Sequence, residues 1–289
     1  MSLPEPPTVP RCYRHPDREG GRSCTRCGKP ACSDCLVQAA VGSHCLDCAK
    51  AARPDVKTRA QLFNSRQLTP VTSAVIVINV AVFLWMVVAD SATMSGRATQ
   101  AHYDLSLWPP AMFYNGEWYR LVTSGFVHFG IVHIGFNMFA LWQLGQLVER
   151  AMSTVQFMLL YVAALLGGSL GALVVEGTTL KITAGASGAV FGLLGAAAVG
   201  LHRRGVNVLS TGIGTALMLN LFITFSISSI SIGGHLGGLV AGAICGFVML
   251  PPKWNTYPKW VAWATPLAVI AVSIAASVLV VKSFDFPPN

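Results

Sequence analysis

The pattern of apolar and polar positions changes at about residue 70. Before it, no apolar run approaches the length of about 17–25 residues that a helix needs to cross a bilayer. After it, seven such runs follow, near residues 70–89, 126–148, 153–175, 185–201, 206–226, 231–250 and 260–281. The pattern predicts an all-α polytopic membrane protein behind a polar N-terminal segment. Composition agrees, because 53% of the 289 residues are hydrophobic and only 11% are charged, a balance foreign to soluble domains.

The start, MSLPEPPTVPRC, lacks a basic stretch followed by an apolar core, so the first membrane helix is expected to act as its own insertion signal. Lys50, Arg53, Lys57, Arg59, Arg66, Arg150, Arg203, Arg204, Lys253 and Lys259 fall on one side of the predicted spans. Arg97, Arg120, Lys181 and Lys282 fall on the other. The positive-inside rule then puts the N-terminus in the cytosol, and seven spans put the C-terminus outside. On this reading helices two, four and six all run from the outer side inward. The net charge of +8 is mostly the inner basic collar, suited to anionic lipid headgroups rather than to nucleic acid.

Seven of the eight cysteines lie between residues 12 and 48. With one histidine they form four pairs with two-residue gaps: Cys12 and His15, Cys24 and Cys27, Cys32 and Cys35, Cys45 and Cys48. Eight such ligands fill two tetrahedral zinc sites, and a gap of two lets both donors of a knuckle turn onto one ion. The competing reading, a disulfide knot, needs an oxidising compartment, which the predicted topology denies it. The short spacer between the second and third pairs favours interleaved sites, pairs one and three on one ion and two and four on the other, as in RING and B-box modules. His44 remains as a substitute for Cys45. So small a module depends on metal to fold. Its ligands do not reveal a role; a cytosolic protein partner is expected, while nothing marks an E2-binding surface. The expected organisation is a double-zinc module at 1–50, a basic linker at 51–69, a transmembrane domain at 70–282 and a tail at 283–289.

Polar groups inside membrane helices are costly and mark a bundle interior or a function. Helix two begins HFGIVHIGFN, with His128, His133 and Asn137; the last two are four apart and share a face. Helix four begins with Ser187 in GASGAVFG, and helix six carries His235 in GGHLGG near its own start. All three helices enter from the same side, so these groups lie at comparable shallow depth. Glycines add a second line. Gly234, Gly238, Gly242 and Gly246 repeat every four residues, as do Gly188, Gly192, Ala196 and Gly200, and such stripes let backbones approach closely in lipid. Facing each other, the stripes would bring the Ser187 hydroxyl to the His235 imidazole. A serine needs a base to become a nucleophile, and an oxyanion needs donors such as His or Asn. Cys245 reads as a small buried packing residue, and Trp108-Pro109-Pro110 as a turn in the first loop.

These pieces, HFGIVHIGFN, GASG and GGHLGG, together with EWYR at 117–120, resemble a rhomboid-family intramembrane serine protease over about residues 70 to 282. The resemblance implies a six-helix bundle plus a seventh C-terminal helix, Ser187 as nucleophile and His235 as general base, a dyad without a third acid. It implies an oxyanion hole from His133, Asn137 and the Ser187 N–H, and an anchoring role for Arg120 in a membrane-embedded first loop. Phe191 stands where many members have a tyrosine packed on the catalytic histidine, and Trp118-Tyr119-Arg120 replaces the common Trp-Arg. The implied activity is cleavage of transmembrane protein substrates near the outer side of the cell membrane, with no catalytic cofactor and with His128 lining a water path. Two other classes compete. A transporter predicts midplane charges or an inverted repeat, and neither is seen. A catalytically silent relative that binds membrane proteins for quality control would need no serine.

Overall fold

The computed structural model describes residues 9–39, 41–52, 69–177, 179, 181–252 and 257–286. The chain divides into two compact units, residues 1–68 and 69–289. Most of the predicted linker, 53–68, and the last three residues of the predicted tail lie outside the described residues.

The first unit is built from two short hairpins. β1 (Arg22–Ser23) pairs with β2 (Pro30–Ala31), and β3 (Leu36–Gln38) pairs with β4 (Ser43–Cys45), which leads into α1 (Leu46–Ala51). Its apolar core is small, Cys12, Ala31, Cys32 and Cys35 with Tyr13, Leu36 and Leu46 against them. Such a core cannot offset the ordering entropy of the segment alone.

The second unit holds all seven predicted helices: α2 (Pro70–Ala89), α6 (Gly130–Glu149), α7 (Thr154–Glu176), α8 (Ser187–His202), α9 (Gly212–Ser226), α10 (Ile232–Met249) and α11 (Val261–Lys282). Five are long and apolar enough to cross a membrane; α8 and α9, with 16 and 15 residues, are shorter. The sequence overestimated three starts. α6 begins at Gly130 rather than 126, leaving His128 in the turn before it, α8 begins at Ser187 itself, and α9 follows a separate turn at Val208–Ser210. Apolar composition runs through these turns unbroken, so hydropathy alone overshoots. The loop after α2 is mostly helical: a turn at Ser91–Ser95, α3 (Gln100–Leu105), α4 (Pro109–Asn115) and α5 (Arg120–Thr123). Trp108-Pro109-Pro110 is therefore a helix start, with proline in the first turn where its missing N–H costs nothing.

α7 is the centre. In its most apolar stretch 61% is buried, against 28% in α2 and 22% in α11. α10 lies against both α7 and α8, and its glycines make that contact backbone to backbone. A Cβ on Gly238 would meet the Gly188 carbonyl oxygen at 1.9 Å, and one on Gly242 the Gly192 oxygen at 2.0 Å, so the two predicted stripes face each other. A second stripe, not foreseen, is Gly233 and Gly237 against Gly171 and Gly167 of α7. Cys245 is fully buried in this core. Glu149, 4% exposed, ends α6 and caps the start of α2, accepting from the Val71 and Thr72 N–H groups at 3.0 and 2.9 Å and from the Thr72 hydroxyl at 2.7 Å. Glu176 at the end of α7 does the same for α10, accepting from Ser231 Oγ at 2.5 Å and the Gly233 N–H at 2.9 Å.

Candidate active site and metal centres

Ser187 stands at the end of a pinned segment. Leu107 and Thr183 exchange both backbone hydrogen bonds, at 2.9 and 3.0 Å, the Gly185 N–H donates to the Ser124 carbonyl at 2.9 Å, and the Ala186 N–H donates to His128 Nε2 at 3.3 Å. The flanking glycines have separate reasons. Gly185 has φ +134°, a region closed to side chains, and a Cβ there would lie 2.9 Å from His133 Nε2. Gly188 sits where three backbones converge, so that a Cβ there would lie 3.4 Å from Gly168 Cα of α7 and 3.3 Å from the Gly234 carbonyl oxygen of α10. As the first residue of α8, Ser187 keeps an N–H with no intrahelical acceptor.

His235 lies one turn into α10. Its Nε2 is 2.8 Å from Ser187 Oγ, and its ring stacks on Phe191 at 4.1 Å between centroids and 19° between planes. The other ring nitrogen, Nδ1, is 2.7 Å from Thr224 Oγ1 on α9, and Thr224 in turn donates to the Asn220 carbonyl at 2.7 Å. Thr224 was not singled out from sequence. The signal was available: Asn220 and Thr224 are four apart in an apolar run, the spacing that drew attention to His133 and Asn137.

His133 Nδ1 accepts the Phe129 N–H at 3.3 Å, which leaves the proton on Nε2, on the ring edge beside Gly185. Asn137 is 5% exposed and gives one Nδ2 proton to the His133 carbonyl at 3.0 Å, keeping a second. His128 is wholly buried. It grips the Ala186 N–H, and its own carbonyl accepts from His102 Nε2 at 3.1 Å. His102 stacks on Phe129 in the loop, and burial pushes its imidazole below the ordinary pKa, favouring the neutral form that this bonding uses.

Arg120, 3% exposed, ties the loop together. Nη1 donates to the Tyr103 and Ser106 carbonyls at 2.6 and 2.8 Å, and Nε donates to Glu117 Oε2 at 2.7 Å. A hydrogen bond from Asn115, then those from Arg120 and Tyr119, hold the Glu117 carboxyl below the usual carboxylate range. Trp118 packs its side chain on the main core. The predicted tail also takes part, with Phe286 edge-on to Phe113 of α4 at 5.4 Å.

In the first unit the ligands gather in two groups, Cys12, His15, Cys32 and Cys35, and Cys24, Cys27, Cys45 and Cys48, with ligand atoms within 4.8 Å of one another in each. This is the interleaved pairing, and it takes Cys45 rather than His44. His15 Nδ1 lies 3.5 and 3.4 Å from Cys32 and Cys35 Sγ, and Cys27 and Cys45 Sγ are 3.7 Å apart. Four thiolates at about 2.3 Å around one tetrahedral zinc would stand about 3.8 Å from each other, so the donor sets fit zinc in number, kind and spacing. All eight cysteines are free thiols. At these distances none is disulfide-bonded.

Residues 115–252 match the family model described as "Rhomboid domain". The chain is 37% identical over 160 residues to rhomboid protease GluP of Bacillus subtilis, covering 54% of this chain and 31% of GluP. It is 28% identical over 194 residues to the putative rhomboid protease YdcA of the same organism, covering 66% of this chain and 94% of YdcA. With rhomboid protease GlpG of Photorhabdus laumondii it shares 29% over 191 residues, 62% of this chain and 61% of GlpG. The match to GluP thus spans about a third of that relative's length. Five helices long and apolar enough to cross a bilayer, three of them within the residues that match the rhomboid model, indicate an integral membrane protein.

Proposed function

We propose that the protein is an intramembrane serine endopeptidase that cleaves transmembrane segments of membrane proteins near the outer side of the cell membrane. The observation that carries this reading is the 2.8 Å contact between Ser187 Oγ and His235 Nε2 at the glycine crossing of α8 and α10. Ser187 attacks the scissile carbonyl while His235 takes its proton, then returns it to the leaving amine, and water releases the acyl group by the same route. His133 Nε2–H, the free Asn137 amide proton and the Ser187 N–H donate to the oxyanion. Arg120 and Phe191 support the loop and the base. At 1.5 Å per residue α8 is about 24 Å long, shorter than a hydrocarbon core of about 30 Å. Arg203 and Arg204 mark its other end as the interface, so Ser187 lies below the opposite surface, where a substrate helix must unwind to expose its carbonyl. Small or helix-breaking residues near the substrate's outer end favour that.

In this reading residues 1–50 form a zinc module on a cytosolic N-terminus, 51–69 a linker, 70–282 the protease domain and 283–289 an extracytoplasmic tail. Two structural zinc ions sit on the two ligand groups, and the module recruits a cytosolic protein. The test of the activity is labelling of the purified chain by a fluorophosphonate probe. Labelling should occur at Ser187 and vanish in Ser187→Ala and His235→Ala; turnover of a transmembrane substrate by Ser187→Ala protein would refute the mechanism. His133→Ala or Asn137→Ala should lower kcat by about 10²–10³ with little change in substrate binding.

A further inference from the structure

α9 is the least enclosed of the helices around the site. Of its 15 residues only Gly214 and Thr224 are buried, and Thr224 is 1% exposed. A threonine on a helix commonly donates to the carbonyl four residues back, and Thr224 does so to Asn220. That bond uses its only proton. What remains on Oγ1 is lone pairs, and they face His235 Nδ1 at 2.7 Å across the helix gap. A hydroxyl whose proton is committed can only accept, so the imidazole proton must be on Nδ1. Nε2 then presents its lone pair to Ser187 Oγ, the state a general base needs.

We infer that Thr224 is the positioning residue of the site, fixing the tautomer and ring orientation of His235 where a carboxylate serves that purpose in three-residue arrangements. This rests on the serine-protease reading. Thr224 touches neither substrate nor reacting atoms and acts through His235 alone. Phe191 fixes the plane of the ring from one face, but a stack cannot choose between ring nitrogens. Thr224 makes that choice. It also ties the readiness of the base to the position of α9, because a shift of that helix withdraws the acceptor from Nδ1.

The experiment compares the full chain with Thr224→Val, which keeps shape and removes the hydroxyl, and Thr224→Ser, which keeps the hydroxyl. Histidine labelled with ¹⁵N reports which ring nitrogen is protonated, the His235 signals being assigned by their absence in His235→Gln. The proton is expected on Nδ1 in the full chain and in Thr224→Ser, and wholly or partly on Nε2 in Thr224→Val. For cleavage of a transmembrane peptide, Thr224→Val should lower kcat about 10²-fold at unchanged KM, and Thr224→Ser should recover most of it. A proton on Nε2 in the unaltered chain overturns the inference, as does a Thr224→Val protein with unchanged tautomer and rate. Equal losses in Thr224→Ser and Thr224→Val with the tautomer unchanged also overturn it. If the unaltered chain is not labelled by fluorophosphonate at Ser187, the protease reading falls, while the tautomer still decides the role of Thr224. If Thr224→Val does not fold, the tautomer of the unaltered chain and the rate of Thr224→Ser decide it.

Discussion

In the first unit, every atom of the two candidate metal-ligand groups comes from the short stretch between Cys12 and Cys48, and almost nothing else is buried. In the second, Ser187 and His235 are 48 residues apart in sequence, and their meeting depends on glycines letting α8 and α10 touch backbone to backbone. On the proposed reading the head relies on bonds to metal, which need little core but need the ligands close along the chain. The helical unit relies on fit, which tolerates long separations but not an added methyl group. Each should fail under an insult that leaves the other intact.

The largest effect is expected from metal removal. The purified chain should carry two zinc ions, and a strong chelator should strip them and unfold the head, since structural zinc contributes about 10–16 kcal/mol in comparable modules. Metal analysis with limited proteolysis checks this: cuts should appear within residues 9–52 while α2 to α11 keep their circular dichroism. One zinc per chain, or a head that survives stripping, would break the contrast. Next is Gly242→Val, whose Cβ would fall 2.0 Å from the Gly192 carbonyl oxygen. It should cost about 3 kcal/mol or more in thermal unfolding of the helical unit and leave zinc content alone. Gly135→Val, where a Cβ meets nothing within 4 Å, is the control and should be close to neutral.

A smaller effect is expected from acid. The Glu117 carboxyl is held low by Asn115, Arg120 and Tyr119, so it binds a proton more weakly folded than unfolded. Its contribution to stability is therefore present above the ordinary carboxylate pKa and is lost as pH falls through the lowered folded value. Melting of the helical unit should weaken on acidification, and Glu117→Gln should lower stability at neutral pH while flattening that slope. The smallest is His44→Ala. His44 pairs with Val37 between β3 and β4 and stands outside both ligand groups, so zinc content should stay at two.

The same contrast explains what could be read from sequence. The interleaved grouping of the Cys and His side chains is legible because a knuckle is a local object with a fixed gap. Ser187, His235 and their facing glycines were legible through helical periodicity and through resemblance. The grip of His128 on the Ala186 N–H is not legible, because an unbroken apolar run hides that α6 starts two residues after it. The four-residue spacing of Asn220 and Thr224 marks a polar face on α9, but periodicity describes one helix at a time and does not show that His235 of α10 meets it. The second glycine stripe was hidden for a related reason: Gly233 and Gly237 are adjacent to residues already assigned to the first, and only the three-helix packing separates the two faces.

The cap that Glu149 places on α2 has a consequence for synthesis. Val71 and Thr72 leave the ribosome more than seventy residues ahead of the carboxylate that accepts their N–H protons. During that interval the start of α2 must stay at a wet surface, since its free amide groups are costly in hydrocarbon. Arrival of α6 brings in the acceptor, and the earliest helix reaches its final depth only as a hairpin with its successor. A nascent chain arrested before residue 149 should thus expose the start of α2 to water-soluble reagents, and one released after it should not.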